Sequence, residues 1–84
     1  MKNTILITGG SSGIGLQLAK ELINRGDQVL TCGRSLEKLE LAKELLPSLK
    51  IFPCDISSRE ECEKLFQWVA ANFPSCNMLI NNAA

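Results

Sequence analysis

Between two apolar runs the chain reads Thr8-Gly9-Gly10-Ser11-Ser12-Gly13-Ile14-Gly15, and no other stretch is better suited to hold a ligand. Glycines let a backbone turn tightly and approach a pyrophosphate with no Cβ in the way. A helix opening behind them offers unpaired N–H groups and a partial positive charge. An anion site follows, and dinucleotide binding is its most direct use; the plain alternative is a tight strand-to-helix connection that holds nothing. Other chemistries lack their residues. With no His and no Tyr, an imidazole base, a phenolic acid or a His-ligated metal cannot be completed from these residues. Cys32, Cys54, Cys62 and Cys76 form no CxxC pair and no zinc set, so they read as reduced thiols packed as small hydrophobes.

Something must position that turn. The chain has 84 residues, 45% apolar and 21% charged, the proportions of a folded domain. Nine basic and nine acidic side chains cancel, which leaves no footprint for nucleic acid or an acidic membrane. The apolar runs fall far short of the ~20 residues that span a bilayer, and the first residues do not resemble a signal peptide. The expectation is a cytoplasmic protein. A chain this short hides only about 60% of its extended surface on folding, which hints at membership in something larger.

Apolar and helical patterns alternate regularly. Asn3 to Thr8 is apolar or β-branched without polar alternation, as in a strand covered on both faces. Leu16 to Arg25 reads as a helix with Ile14, Leu18 and Leu22 on one stripe and Gly26 as its stop. Val29 to Cys32 is a second strand. Ser35 caps a second helix with Leu36, Leu39, Ala42 and Leu46 inward, ended by Pro47, and its charges read as a solvated face. Leu49 to Cys54 is a third strand, placed at a sheet edge by Pro53. Ser57 with Glu60 and Ser58 with Glu61 are overlapping capping boxes for a third helix bearing Cys62, Leu65, Phe66, Val69 and Phe73 inward, with Trp68 off the stripe as a partly covered surface residue. Met78 to Ile80 starts a fourth strand.

The order βαβαβαβ with long connections implies an α/β fold, a parallel sheet with right-handed crossovers and strand order 3-2-1-4. Two helices then lie on one face and one on the other. This is a doubly wound, partial Rossmann fold that stops after strand four. Residues 1–84 read as one incomplete dinucleotide-binding half with an open edge and exposed apolar surface.

The glycine spacing, TGxxxGxG, resembles the short-chain dehydrogenase/reductase family. Cys32-Gly33-Arg34-Ser35 after strand two, Cys54-Asp55-Ile56 after strand three and Asn81-Asn82-Ala83 after strand four follow in the family's order. The resemblance covers the whole chain but only the first third of a typical member. Within the family the wording is most similar to bacterial oxidoreductases associated with lipoteichoic acid D-alanylation operons.

The resemblance implies that Gly9, Ser11, Ser12, Gly13, Ile14 and Gly15 line the pyrophosphate and adenosine ribose. Asp55 would accept from the adenine amino group beside Ile56. Asn81 would brace the sheet, and Asn82 and Ala83 approach the ribose; Ala84 departs from the family's glycine. Arg34 stands where an acidic residue would favour NAD, and its guanidinium can pair with a 2′-phosphate, with Ser35 adding a hydroxyl, so NADP is the expected cofactor. The family transfers hydride between the nicotinamide and a carbonyl or alcohol by a Ser, a Tyr and a Lys that these residues do not supply, so no catalytic residue is assigned and the chain alone is expected to be inactive. A small-molecule substrate would bind through the missing C-terminal half, and a complete member would be a homo-oligomer. The competing expectation is a stand-alone nucleotide-binding or interaction module without catalysis.

Overall fold

All five residues of Thr4–Thr8 are buried, so this strand, β1, is covered on both faces as its apolar run predicts. A computed structural model describes residues 3–82. After β1 come α1 (Gly13–Asn24), β2 (Gln28–Gly33), α2 (Leu36–Leu45), β3 (Lys50–Pro53), α3 (Arg59–Asn72) and β4 (Cys76–Asn81). The strands form one parallel sheet in the order β3-β2-β1-β4. β3 is an edge strand, and the exposed Pro53 stands at its end, as the missing N–H of proline favours.

The period-2 pleat sorts the strand residues onto two cores. Ile5, Ile7 and Val29 face α1 and α2 and meet Ala19, Leu22 and Ala42 there. Leu6, Leu30 and Cys32 face α3 and meet Leu65. Two helices thus cover one face and a single helix the other, as the crossover rule requires.

Local signals set the helix ends. Ser35 Oγ accepts the Lys38 N–H (3.2 Å) at the start of α2, and Ser58 Oγ accepts the Glu61 N–H (3.3 Å) at the start of α3, so Ser58 rather than Ser57 is the cap. Gly26, at φ +96°, ends α1 as expected.

Three expectations need correction. α1 begins at Gly13, earlier than Leu16, and its buried residues are Gly15, Ala19 and Leu22, with Leu18 packed against the same core as expected. Ile14 is not on the stripe; it is 81% exposed, because the adjacent Gly15 takes the position that faces the sheet. On α2, Leu36 is half exposed and Leu39 and Ala42 are buried, while Leu46, just past the helix end, still packs against the core as expected. On α3, Trp68 belongs to the core side and Phe66 does not. The Trp68 ring lies 4.9 Å from that of Phe52 on β3 and 5.2 Å from that of Phe73, whereas Phe66 is 55% exposed. Aromatic pairing with the edge strand rotates the buried face by one position.

Apolar surface stays uncovered, as the open edge implies. Leu79 on β4 is exposed, and with Leu6, Phe66 and Val69 it borders a shallow groove of about 290 Å³. No helix among the described residues is long and apolar enough to cross a membrane.

The cysteines are free, with Cys32 and Cys54 buried and Cys62 and Cys76 partly exposed. Burial pushes the Cys32 thiol up to about 11 and raises that of Cys54 as well, so both are protonated and shielded at neutral pH. Iodoacetamide at neutral pH should therefore label Cys62 and Cys76 first, with Cys32 and Cys54 reacting only as denaturant opens the fold. Peptide mass spectrometry reads the order, and equal labelling of all four would contradict this packing.

Candidate functional site

The turn from β1 to α1 reverses the chain within a few residues, and Gly9 (φ +70°) and Gly13 (φ +58°) occupy the left-handed region that it requires. A buried hydroxyl supports it from below. Thr31 Oγ1 on β2 donates to the Ile7 carbonyl (2.7 Å) and accepts the Gly10 N–H (2.8 Å). A Cβ on Gly10 would stand 2.5 Å from that same oxygen. At the start of α1, a Cβ on Gly15 would run into the Gly9 carbonyl and come within 2.5 Å of Asn82 Nδ2. The helix can approach the turn only because Gly15 has no side chain.

Asn82 explains the second of those contacts. Its Nδ2 donates to the Gly9 carbonyl (3.2 Å), and its backbone N–H donates to Thr8 Oγ1 (3.0 Å). Thr8 Oγ1 in turn donates to Asn81 Oδ1 (3.0 Å). The end of β4 is thus fastened to the glycine turn, with Asn81 bracing the sheet.

Above the carboxyl ends of β1, β2 and β3 lies a cleft of about 710 Å³. Open α/β sheets place their ligand crevice at this end. Gly9, Ser11 and Ser12 line it from the first turn, Arg34 and Ser35 from the second, and Asp55 and Ile56 from the third. Ser12 is the extended N-cap of α1 (φ −158°), its side chain makes no capping hydrogen bond, and the first turn of the helix carries no acidic residue. The positive end of the α1 dipole therefore stands uncompensated beside the cleft.

Charge divides the cleft. Arg34 and Lys38, both exposed, line the side near α2. Across from them, Asp55 Oδ1 accepts both the Ser57 N–H (3.0 Å) and the Ser57 hydroxyl (2.7 Å). These bonds, aided by the charge of Arg34, hold the Asp55 carboxyl below the ordinary carboxylate value. Because the folded value is the lower one, the contribution of this ionisation to stability is complete above the ordinary carboxylate range. It is lost only as the pH falls through the lowered value.

Seven of the expected residues thus meet in one cleft. Gly13, Ile14 and Gly15 form the first turn of α1 behind it, and Asn82 supports the turn; none of the four is part of its lining. Ala83, and Ala84 with its departure from glycine, lie outside the described residues. Sequence reading missed Thr31 and Gly10, although a lone hydroxyl inside an apolar strand was the available signal. It also missed Lys38, which reads as part of a solvated face but stands on the helix turn that Ser35 caps. Among the described residues no cluster of His, Cys, Asp or Glu could hold a metal ion.

Comparison with known proteins gives a consistent picture. The protein-family model described as short chain dehydrogenase matches residues 3–84. The chain is 48% identical, over 81 residues, to the uncharacterized oxidoreductase DltE of Bacillus subtilis, a match covering 96% of this chain and 32% of that protein. Among solved structures it is similar to an actinorhodin polyketide ketoreductase variant with NADPH (35% identity, TM-score 0.89, 98% of this chain and 33% of the other). It is also similar to the RhlG/NADP active-site complex of Pseudomonas aeruginosa (30% identity, TM-score 0.91, 99% and 34%). The chain spans about a third of the length of these relatives.

The Gly15 contact yields a prediction of sign. Ala normally stabilises a helix by about 1 kcal/mol relative to Gly. Here the added methyl overpacks the turn, so Gly15→Ala should destabilise the chain by about 1–3 kcal/mol, measured by urea denaturation. A neutral or stabilising result would show that α1 does not sit this close.

Proposed function

Because the chain belongs to the short-chain dehydrogenase family, we propose that it binds the adenosine half of NADP for an oxidoreductase that moves hydride between the nicotinamide and a carbonyl or alcohol substrate. When bound, the nicotinamide supplies the hydride chemistry. The residues of this chain supply binding and orientation. In this reading Gly9, Ser11, Ser12, Gly13, Ile14 and Gly15 present backbone N–H groups and the α1 dipole to the pyrophosphate and ribose. Asp55 accepts from the adenine amino group with Ile56 alongside, while Asn82 and Ala83 lie towards the ribose.

One observation carries the cofactor preference. Arg34 and Lys38, with the Ser35 hydroxyl, line the cleft in the region where an acidic residue would otherwise hold the ribose hydroxyls. A guanidinium and an ammonium attract a 2′-phosphate, and the cleft has volume for a nucleotide. The presence of NADPH and NADP with the two structural relatives supports the same preference.

The proposal extends to the whole protein. Residues 1–84 form the dinucleotide-binding part of a domain whose remaining part carries the substrate pocket and the Ser, Tyr and Lys of the family's chemistry; these 84 residues contain no Tyr. Such a protein would be a cytoplasmic homo-oligomer acting on a small molecule, a location in keeping with four free cysteines. Nucleic acid has no place in this reading, given the balanced charge.

Calorimetric titration of the chain with adenosine 2′,5′-bisphosphate and with AMP tests the cofactor reading. The bisphosphate should bind about tenfold tighter or more, the order of one charge-assisted hydrogen bond. Arg34→Glu should abolish that difference and leave AMP binding in place; equal affinity in the wild type would refute NADP preference. The difference should also shrink below about pH 6, where the dianion of a phosphate monoester takes up a proton and loses part of its charge. With NADPH and a panel of carbonyl compounds the 84-residue chain should show no oxidation at 340 nm, the nicotinamide absorbance, and turnover would refute the assignment of catalysis to other residues.

A further inference from the structure

The loop between β3 and α3 is held in a way that its capping sequence does not announce. In a closed capping box the carboxylate at the third helical position turns back to the N–H of the cap residue. Here only the serine half forms, through Ser58 Oγ and the Glu61 N–H. The Ser58 N–H donates instead to the Asp55 carbonyl (3.0 Å), and Glu61 Oε1 accepts the N–H of Asp55 at 2.7 Å. Glu61 is half-buried and does not line the cleft.

From this diverted contact we infer that Glu61 is a positioning residue for the adenine base, acting through Asp55. The backbone of Asp55 is fixed by a charge-assisted hydrogen bond from the first turn of α3, the kind about twice as strong as a neutral one. Its carboxylate is fixed separately, since both Ser57 contacts go to Oδ1 and neither takes up Oδ2. Two thiols add to the grip of the helix on the loop, with Cys62 Sγ donating to the Ile56 carbonyl (3.2 Å) and Cys54 Sγ to that of Glu61 (3.6 Å). A base-reading carboxylate that is already held costs less order on binding, so selectivity for the adenine amino group depends on Glu61 although Glu61 never touches the base. The inference rests on the proposed nucleotide reading, in which Asp55 meets that amino group.

The test compares the wild-type chain with Glu61→Ala and Glu61→Gln in titrations with AMP, with IMP, whose base has a carbonyl in place of the amino group, and with adenosine 2′,5′-bisphosphate. The wild type should prefer AMP to IMP. In Glu61→Ala that preference should fall about fivefold or more, the scale of one hydrogen bond, while the preference for the bisphosphate over AMP stays unchanged because Arg34 and Lys38 are untouched. Glu61→Gln keeps an oxygen that accepts the Asp55 N–H, in a weaker neutral bond, and should keep more of the base preference than Glu61→Ala. If Glu61→Ala retains the wild-type base preference, the inference is overturned and the nucleotide reading stands. If Glu61→Gln loses the preference as fully as Glu61→Ala, charge at the α3 N-terminus is responsible and the inference is again overturned. A wild type that prefers the bisphosphate but not AMP over IMP removes the role of Asp55 and of Glu61 with it, and a wild type that binds none of the three overturns both readings.

Discussion

One hydroxyl in the middle of the sheet governs what the rest of the molecule can do. Thr31, fully buried on β2, spans from the Ile7 carbonyl to the Gly10 N–H and so ties the first strand to the turn that leaves it. A buried donor and acceptor left without partners would cost about 1–3 kcal/mol each, so the turn is held where the hydroxyl is. Gly10 must lack a side chain because Thr31 is there, and Gly15 must lack one because the turn is then close to α1. The glycine pattern is a packing requirement before it is a binding one.

The three loops at the carboxyl ends of β1, β2 and β3 then differ in what they contribute. The first gives backbone N–H groups and a helix dipole, the second cations, and the third an anion braced by its own helix. Each loop leads from a strand into a helix, and one helix N-terminus is set differently from the other two. Ser35 and Ser58 cap theirs with side-chain oxygens, whereas Ser12 leaves its hydroxyl unused for that purpose. The one uncapped helix is the one whose N-terminus opens on the glycine turn.

Much of this was legible in the sequence, for physical reasons. Unbroken apolar runs identify buried parallel strands and Pro53 marks the edge, so the sheet order could be read directly, whereas most of the seven cleft residues were implied by the family resemblance of the motifs that follow the strands. Hydrophobic periodicity failed where volume rather than hydrophobicity selects the residue. It placed Ile14 inside because Ile is apolar, while the position facing the sheet belongs to Gly15, where no side chain fits. It misplaced Trp68 and Phe66 because the ring partner, Phe52, comes from an edge strand that a helical wheel does not contain. Glu61 reads as a cap residue since its motif says nothing of a competing N–H at Asp55.

The sheet order also carries a history. β1 pairs with β2 on one side and with β4 on the other, and the second pairing joins Thr8 to Asn81, 73 residues apart in sequence. A chain made from its N-terminus thus exposes one edge of its first strand until nearly all the described residues have been synthesised. Loop-closure entropy makes such distant pairings slow to form. Since Asn82 also fastens the glycine turn, the loop that leaves the first strand is completed by a residue 73 positions downstream. The glycine turn is fastened in this way only once β4 has docked, and until then the open edge of β1 is free to pair with other strands.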